Sequence, residues 1–339
     1  MTKRKKLQVE VVLLKGNAYD IGLKQGSVLK LDPKWKEQAA LQTNENIIEA
    51  KKYIKRLSVT LWDEIEGLAA GMDIHINTAI QLFSGYDMRL PFMGCTTMAN
   101  DSYYVRNYDF NDVCYDARLV LSKPDTGYAS IGFSQQVTGR LDGMNEKGLV
   151  IGLHMVNEKS SQTGFLATTI CRLVLEQCAD TKEAISLIQK IPHQYSVNFS
   201  IMDKAGNNAV VEVSPEEQVV YQSRRIICTN HFESEHLHQK NRASIQMSLR
   251  RKEYLKTLER SKLTPKSMYH IFNNETSPLF FTDYKAYFGT LHTVVYCPED
   301  LSVLAGIGGN SNPYVILFQE WLVGKVRLPY MLEGKIESE

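Results

Sequence analysis

The sequence lacks the features that direct a chain to nucleic acid or into a membrane. Its 339 residues carry a net charge of +1, so no excess of positive charge is present to bind a phosphate backbone or an anionic membrane surface. No apolar run is long enough to span a bilayer. A basic start is followed by a run that Gln8 and Glu10 interrupt, so we expect a solvated tail rather than a signal peptide.

The sequence also lacks the spacing of a metal or disulfide site. Its six cysteines are widely scattered and form no Cys-x-x-Cys pair. His231, His236 and His238 lie close together, but their spacing fits neither His-Glu-x-x-His nor a zinc finger. The glycine-rich stretch from Gly16 to Gly26 is not followed by the Gly-Lys-Ser/Thr of a phosphate-binding loop. We therefore expect reduced thiols, a cytoplasmic protein, and neither a metal nor an organic cofactor.

The hydrophobic pattern predicts strands, then helices, then strands again. Leu7 to Leu14 alternates as a strand does, whereas residues 34 to 88 have apolar residues mostly at helical spacing. After Cys95 short β-like runs are separated by turns, and two helices follow from Leu166. No long linker, repeat or low-complexity segment divides the chain. This order predicts a layered α+β protein with antiparallel sheets.

One segment combines a cysteine with the charges that would activate it. Gly94-Cys95-Thr96 is followed by a polar turn and an alternating stretch that ends in Arg106-Asn-Tyr-Asp109. This pattern predicts a hairpin that brings an arginine and an aspartate beside the thiol. A nearby cation favours the thiolate, and a carboxylate can orient the proton acceptor. A buried structural thiol and a surface ion pair are the ordinary alternatives, and the first is our expectation for the other five cysteines.

These residues resemble the cysteine N-terminal-nucleophile hydrolases of the penicillin acyltransferase and bile-salt hydrolase type. Three blocks carry the resemblance: Gly94-Cys95-Thr96, Arg106-Asn-Tyr-Asp109 and Thr229-Asn230. The Gly16–Gly26 opening and the turn from Gly143 to Leu149 add weaker support. The resemblance implies an α+β fold with a four-layer αββα sandwich, preceded by a helical N-terminal segment.

The resemblance further implies that the protein cuts itself before Cys95. Residues 1–94 would become a mainly helical α chain or propeptide, and residues 95–339 would form the αββα domain. The new α-amine of Cys95, with an unperturbed pKa of roughly 7.7 to 8.0, would act as the base for its own thiol. Arg106 would then lie beside the sulfur, and Asp109 would orient the amine.

The remaining candidate residues also come from the resemblance. Asn230 would line the oxyanion hole, an effect of about 3 to 4 kcal/mol in other enzymes, although a turn asparagine is the simpler interpretation. Thr96, Asn107 and His154 would contact the substrate; at the position of His154 the relatives carry asparagine or tyrosine. One basic residue follows the asparagine in relatives, and three candidates remain open here: Arg242, Arg250 and Arg251.

The leading hypothesis is a self-processing cysteine amidohydrolase or acyltransferase that acts on linear amides through a thioester on Cys95. Its partner would be a small-molecule N-acyl or acyl-thioester substrate, with water or an amine as acceptor. A thioesterase or lactonase using the same site stays open, as does an unprocessed binding protein of the same fold. A papain-like protease is disfavoured because its local cysteine signature is absent. A homo-oligomer also stays open, and the sequence does not identify the acyl group.

Overall fold

The computed structural model describes residues 3–30, 42–89, 91–159, 162–259, 261–286 and 288–337. The helix predicted from residue 34 can therefore be compared with the structure only from residue 42 onward. The strands are β1 Arg4–Gly16, β2 Gly94–Ala99, β3 Tyr104–Phe110, β4 Arg118–Pro124, β5 Ser130–Gln135, β6 Gly139–Arg140, β7 Asp142–Asn145, β8 Val150–Asn157, β9 Ser196–Met202, β10 Asn208–Val213, β11 Gln218–Ser223, β12 Ile226–Cys228, β13 Thr282–Asp283, β14 Phe288–Cys297, β15 Ser302–Ile307, β16 Tyr314–Leu317 and β17 Met331–Glu337.

The described residues also form nine α-helices. They are α1 Ala18–Val28, α2 Asn44–Leu57, α3 Val59–Gly71, α4 Ile76–Phe83, α5 Ala167–Gln177, α6 Thr181–Ile188, α7 Gln246–Leu258, α8 Pro265–Asn273 and α9 Phe318–Leu322. Short 3₁₀ helices span His238–Lys240 and Tyr284–Ala286. In the parts of the chain described, no helix has the length and apolar character needed to cross a membrane.

The strands form two sheets that pack face to face. The ten-stranded sheet has the order β11-β10-β9-β8-β7-β5-β4-β1-β17, with β6 paired to β5. The seven-stranded sheet has the order β12-β2-β3-β14-β15-β16, with β13 paired to β14. Within these two sheets the described pairs are antiparallel except β1 with β4, which agrees with the predicted antiparallel character.

Helices cover the outer faces of both sheets. α5 and α6 pack on the ten-stranded sheet, α7 and α8 pack on the seven-stranded sheet, and β2 meets β8 where the sheets face each other. Apolar side chains from both sheets and from the N-terminal helices join in one large core. The protein thus has the α+β, four-layer αββα architecture that the resemblance implied.

In its described residues, the N-terminal segment before Gly94 contains four helices and β1, which is an internal strand of the ten-stranded sheet. Leu7, Val9 and Val11 are buried and alternate with exposed neighbours, as expected for a strand with one face on a core. This segment also explains the glycine-rich opening. A side chain on Gly22 would collide with the backbone of Glu64, at 2.0 Å from its carbonyl oxygen, so glycine allows α1 and α3 to touch backbone to backbone.

Candidate active site

Cys95 is a free, fully buried thiol in the second position of β2. The predicted hairpin is present, since β2 and β3 pair antiparallel with Cys95 opposite Tyr108 and Gly94 opposite Asp109. This register brings Arg106 and Asp109 next to the cysteine. The hairpin prediction is therefore confirmed, and both charged side chains are buried.

The guanidinium of Arg106 contacts the sulfur of Cys95. Its Nη2 lies 3.0 Å from Cys95 Sγ, while Nη1 donates to the Leu153 carbonyl at 2.6 Å and Nε donates to Asp142 at 2.9 Å. Burial raises the pKa of the Cys95 thiol to about 12, although the charge of Arg106 opposes that shift. At neutral pH the thiol of the uncut chain is therefore protonated, and it must lose its proton during any nucleophilic attack.

Asp142 is a member of the site that the sequence reasoning missed. Its carboxylate accepts from Arg106 Nε, from the Tyr296 hydroxyl at 2.6 Å and from His292 Nε2 at 3.3 Å. Burial alone would raise the pKa of Asp142, but the hydrogen bond from His292 and the charge of Arg106 hold it below its ordinary value. Asp142 stands between Leu141 and Gly143 in a stretch that also holds Arg140 and Asn145, so the local sequence gave no signal that Asp142 pairs with Arg106.

Asp109 has one carboxylate oxygen in use and one without a hydrogen bond. Its Oδ1 accepts from Thr290 Oγ1 at 2.7 Å. Its Oδ2 is buried with no hydrogen-bond partner among the described residues, and Arg251 Nη1 is 3.6 Å away. Burial raises the pKa of Asp109, and Arg251 opposes this shift. The unpartnered oxygen faces the segment at Gly94, where an added Cβ would lie 3.0 Å from it.

Asn230 touches the cysteine backbone directly. Its Oδ1 accepts the Cys95 backbone N–H at 2.9 Å. Its Nδ2 donates to the Met155 carbonyl at 2.8 Å and to the Met93 carbonyl at 3.4 Å. Asn230 follows β12, the strand that pairs with β2, so sheet pairing brings it to the thiol across 135 residues of sequence.

Arg251, on α7, is the arginine that reaches the site. It donates from Nη1 to the Cys95 carbonyl at 2.8 Å and to Thr96 Oγ1 at 2.6 Å, and from Nη2 to Asn230 Oδ1 at 2.9 Å. Arg250 is exposed, and the Arg242 guanidinium lies 4.0 Å above the Phe92 ring. Of the three arginines that the sequence left open, the structure thus places Arg251 at the site.

His154 lies between two residues whose carbonyls bind site side chains, Leu153 and Met155. Its Nε2 is 2.8 Å from Ser200 Oγ, and its Nδ1 has no partner among the described residues. Burial, together with the charge of Arg106, keeps the pKa of His154 well below its ordinary value. The imidazole of His154 is therefore neutral, and it lies near the backbone of Cys95.

Asn107 is not in the site, contrary to the expectation that it contacts the substrate. Its Nδ2 donates to the carbonyls of Phe272 and Leu279, and its Oδ1 accepts from Thr293. Neighbouring side chains on a strand lie on opposite faces, so Asn107 is directed away from Arg106 and toward α8. Its position indicates a structural role in fastening that helix.

The histidine cluster near residue 231 is not arranged as a metal site. His231 Nδ1 contacts Ser248 Oγ at 2.8 Å, and burial lowers its pKa to about 4. Over the residues that the structure covers, no group of three His, Cys, Asp or Glu side chains is placed to hold a metal ion.

Comparison with solved structures gives distant similarities. Penicillin V acylase from Agrobacterium tumefaciens is 16% identical, with 67% of this chain and 86% of that chain covered and a TM-score of 0.45. A mutant of conjugated bile acid hydrolase from Clostridium perfringens is 13% identical, with 67% and 93% covered and a TM-score of 0.44. The Caenorhabditis elegans ortholog of N-acylethanolamine-hydrolyzing acid amidase is 14% identical, with 61% and 93% covered and a TM-score of 0.41.

The search of curated proteins finds no match to the chain. The comparison with family profiles does identify a family. The profile of the acyl-coenzyme A:6-aminopenicillanic acid acyl-transferase family matches residues 96–312, which is more than half of the 339 residues. By this match, the chain belongs to the acyl-coenzyme A:6-aminopenicillanic acid acyl-transferase family.

Proposed function

We propose that this protein is a self-processing cysteine amidohydrolase or N-acyltransferase that carries its acyl intermediate as a thioester on Cys95. Its family consists of enzymes that hydrolyse or form amide C–N bonds. The observation that carries the proposal is the arrangement at Gly94–Cys95. A buried thiol touches Arg106, and a carboxylate oxygen of Asp109 that accepts no hydrogen bond lies beside Gly94.

Self-cleavage would begin with attack of Cys95 Sγ on the Gly94 carbonyl carbon. The C–S bond forms, the sulfur loses its proton, and the C–N bond breaks as the Cys95 nitrogen gains a proton. Water then hydrolyses the thioester, releasing the Gly94 carboxylate and restoring the thiol. Gly94 suits this step because it carries no side chain to shield its carbonyl.

The cut would change the hydrogen bonds that the Cys95 nitrogen can make. The peptide nitrogen has one N–H, which Asn230 Oδ1 accepts. The α-ammonium has three, so two more acceptors are needed in a buried site. Asp109 Oδ2, buried and without a hydrogen-bond partner among the described residues, would receive one of them. An acceptor left unsatisfied before the cut would thus be satisfied after it.

In the mature enzyme the α-amine would take the proton from the thiol. His154 and His231 are poor candidates for the base, since burial lowers the pKa of both. Arg106 would stabilise the thiolate as it attacks the substrate carbonyl. Asn230 Nδ2, released from the Met93 carbonyl, would donate to the oxyanion, a contribution of about 3 to 4 kcal/mol in other enzymes.

The proposal is tested by the intact mass of freshly purified protein beside a Cys95→Ala variant. The wild type should give two chains that part between Gly94 and Cys95, and the variant should give one. The processed protein is then assayed against amides, thioesters and lactones, which would all form the same acyl-enzyme. An uncut wild type whose Cys95 also fails to react with thiol reagents would favour a binding protein and refute the proposal.

A further inference from the structure

The space in front of the Cys95 sulfur is used twice in the proposed reaction. The sulfur first attacks the Gly94 carbonyl and later attacks the carbonyl of a substrate. Both carbonyls must take the same position relative to the sulfur and the groups around it. Gly94 is buried at the start of β2. The Gly94 carboxylate that the cut produces must therefore leave this position before the mature enzyme can bind a substrate.

The charge of the new carboxylate also disfavours its staying in place. An α-carboxyl group has an ordinary pKa of about 3.3 to 3.7, so it is ionised at neutral pH. A Cβ on Gly94 would lie 3.0 Å from Asp109 Oδ2, and the new carboxylate would be attached to the same Cα. Two carboxyl groups close together in a buried site repel each other when both are ionised. The new chain end therefore needs a cation away from Asp109.

The two arginines inside the site are already occupied. Each nitrogen of the Arg106 guanidinium donates to a protein atom. The same holds for Arg251, whose Nε donates to the Met247 carbonyl and whose Nη1 and Nη2 donate around Cys95 and Asn230. These contacts fix both side chains, so neither is available to a chain end that moves away from the sulfur.

Arg242 is a third arginine, and it lies where the chain before Gly94 reaches the surface. Met93 is buried, Phe92 is half-buried and Pro91 is exposed. The Arg242 guanidinium lies 4.0 Å from the centre of the Phe92 ring. The Cα atoms of Phe92 and Gly94 are at most about 7 Å apart, because only two residues of chain separate them. Arg242 is therefore within reach of the new chain end.

Arg242 also keeps a donor for a ligand. Its Nε is buried and has no hydrogen-bond partner among the described residues. Burial lowers the pKa of Arg242 and the charge of Glu158 opposes that shift, but an arginine stays charged at neutral pH. Buried polar atoms in native proteins are normally paired. A carboxylate at Arg242 would pair the donor that the uncut chain leaves open.

We propose that Arg242 binds the carboxylate of Gly94 after the cut and holds the new C-terminus at the surface, clear of Cys95. This inference rests on the proposed self-cleavage. An arginine suits the role because its planar guanidinium can donate two parallel hydrogen bonds to one carboxylate. Its contact with Phe92 places it beside the segment before the segment moves. The space in front of the sulfur would then be open to a substrate.

The test is the rate at which carboxypeptidase Y shortens the N-terminal chain of the native, self-cut protein, followed by intact mass. The peptidase must bind a free C-terminal carboxylate, so a chain end held by Arg242 is protected. Arg242→Gln should lose Gly94 and Met93 about tenfold faster than the wild type, as expected for loss of a hydrogen bond between charged groups. Arg250→Gln, at an exposed arginine of α7, should match the wild type.

Arg242→Lys provides a second variant that keeps the charge. Lysine cannot make the two parallel hydrogen bonds, so this variant should be shortened at a rate between those of the wild type and Arg242→Gln. It also keeps the test decisive if Arg242→Gln does not fold. The denatured wild-type protein gives the rate for an unprotected chain end.

The outcomes separate this inference from the proposed function. Equal rates in the wild type and both Arg242 variants would overturn this inference alone. Failure of folded Arg242→Gln to cut itself would do the same, because Arg242 would then act before the carboxylate exists. An uncut wild type has no Gly94 carboxylate, and it would overturn the proposed self-cleavage together with this inference.

Discussion

Each nitrogen of the Arg106 guanidinium has a different partner: the sulfur of Cys95, the carbonyl of Leu153 and the carboxylate of Asp142. Two of these partners lie on the ten-stranded sheet, and the cysteine lies on the other. A planar group fixed at three points has one orientation, so Nη2 is directed at the sulfur by contacts that cross the interface between the sheets. Lysine could not replace Arg106, because it offers one nitrogen in place of three.

Gly94→Ala should strongly slow self-cleavage. A Cβ at this position would lie 2.6 Å from Cζ of Phe288 and 3.0 Å from Asp109 Oδ2, so the scissile carbonyl and the aspartate could not both keep their places. The uncut fraction, followed by intact mass after purification, should be much larger than for the wild type. The double variant Gly94→Ala/Phe288→Ala should recover part of the cleavage, and complete cleavage of the single variant would contradict this account.

At the scale of elements, α3 and α5 are joined by buried charges outside the active site. Arg172 Nη2 donates to Glu64 at 2.8 Å, and Arg172 Nε lies 3.3 Å from Glu176. Gln25 of α1 adds a hydrogen bond to Glu64 at 2.8 Å. Helices from both sides of the proposed cut are thus linked by charges that water does not reach.

Glu64→Gln should lower the free energy of unfolding by about 3 kcal/mol, because it leaves Arg172 and its charge short of a buried partner. The measurement is urea denaturation followed by tryptophan fluorescence. Glu253→Gln, which breaks the exposed pair with Lys256, is the matched control and should change stability little. Equal effects of the two substitutions would contradict the assignment of Arg172–Glu64 as a stabilising buried pair.

Glu64 also makes the stability of the fold depend on pH. Burial raises the pKa of Glu64, but Arg172 and Arg140 outweigh it and hold the pKa below its ordinary value of 4.5. Its stabilisation is therefore fully present above the pKa of the unfolded carboxyl and is lost as pH falls through the folded value. The free energy of unfolding, measured by urea denaturation at a series of pH values, should fall less at acid pH in Glu64→Gln than in the wild type.

The elements themselves follow well from local pattern. The strand predicted for Leu7 to Leu14 is β1, and the first of the two helices predicted from Leu166 is α5. The turn before Leu149 is also present, with Gly148 at φ +81°, a conformation that glycine adopts without strain. Two late strands, β16 and β17, were not predicted, because their pairing with β15 and β1 is not visible in their own short sequences.

At the scale of the whole molecule, the two products of the proposed cut should remain together. β1 pairs with β4 on one side and β17 on the other, and the N-terminal helices share the main core with both sheets. Residues 1–94 and 95–339 should therefore elute as one species in native size-exclusion chromatography and separate only in denaturant. Elution of two separate fragments under native conditions would show that the N-terminal segment is released as a propeptide.

The sequence by itself determined the contacts that lie close along the chain. Cys95, Arg106 and Asp109 fall within one hairpin, and the antiparallel pairing of its two short strands is enough to bring the three residues close together. Asn230 was predicted as a site residue only from the resemblance to a known family, because no local sequence rule links it to a cysteine 135 positions earlier. Tertiary structure decided the choice of Arg251, the presence of Asp142 and the position of Asn107. Consecutive residues on a helix or strand point in different directions, and only the docking of that element on its neighbours determines which of them faces the site.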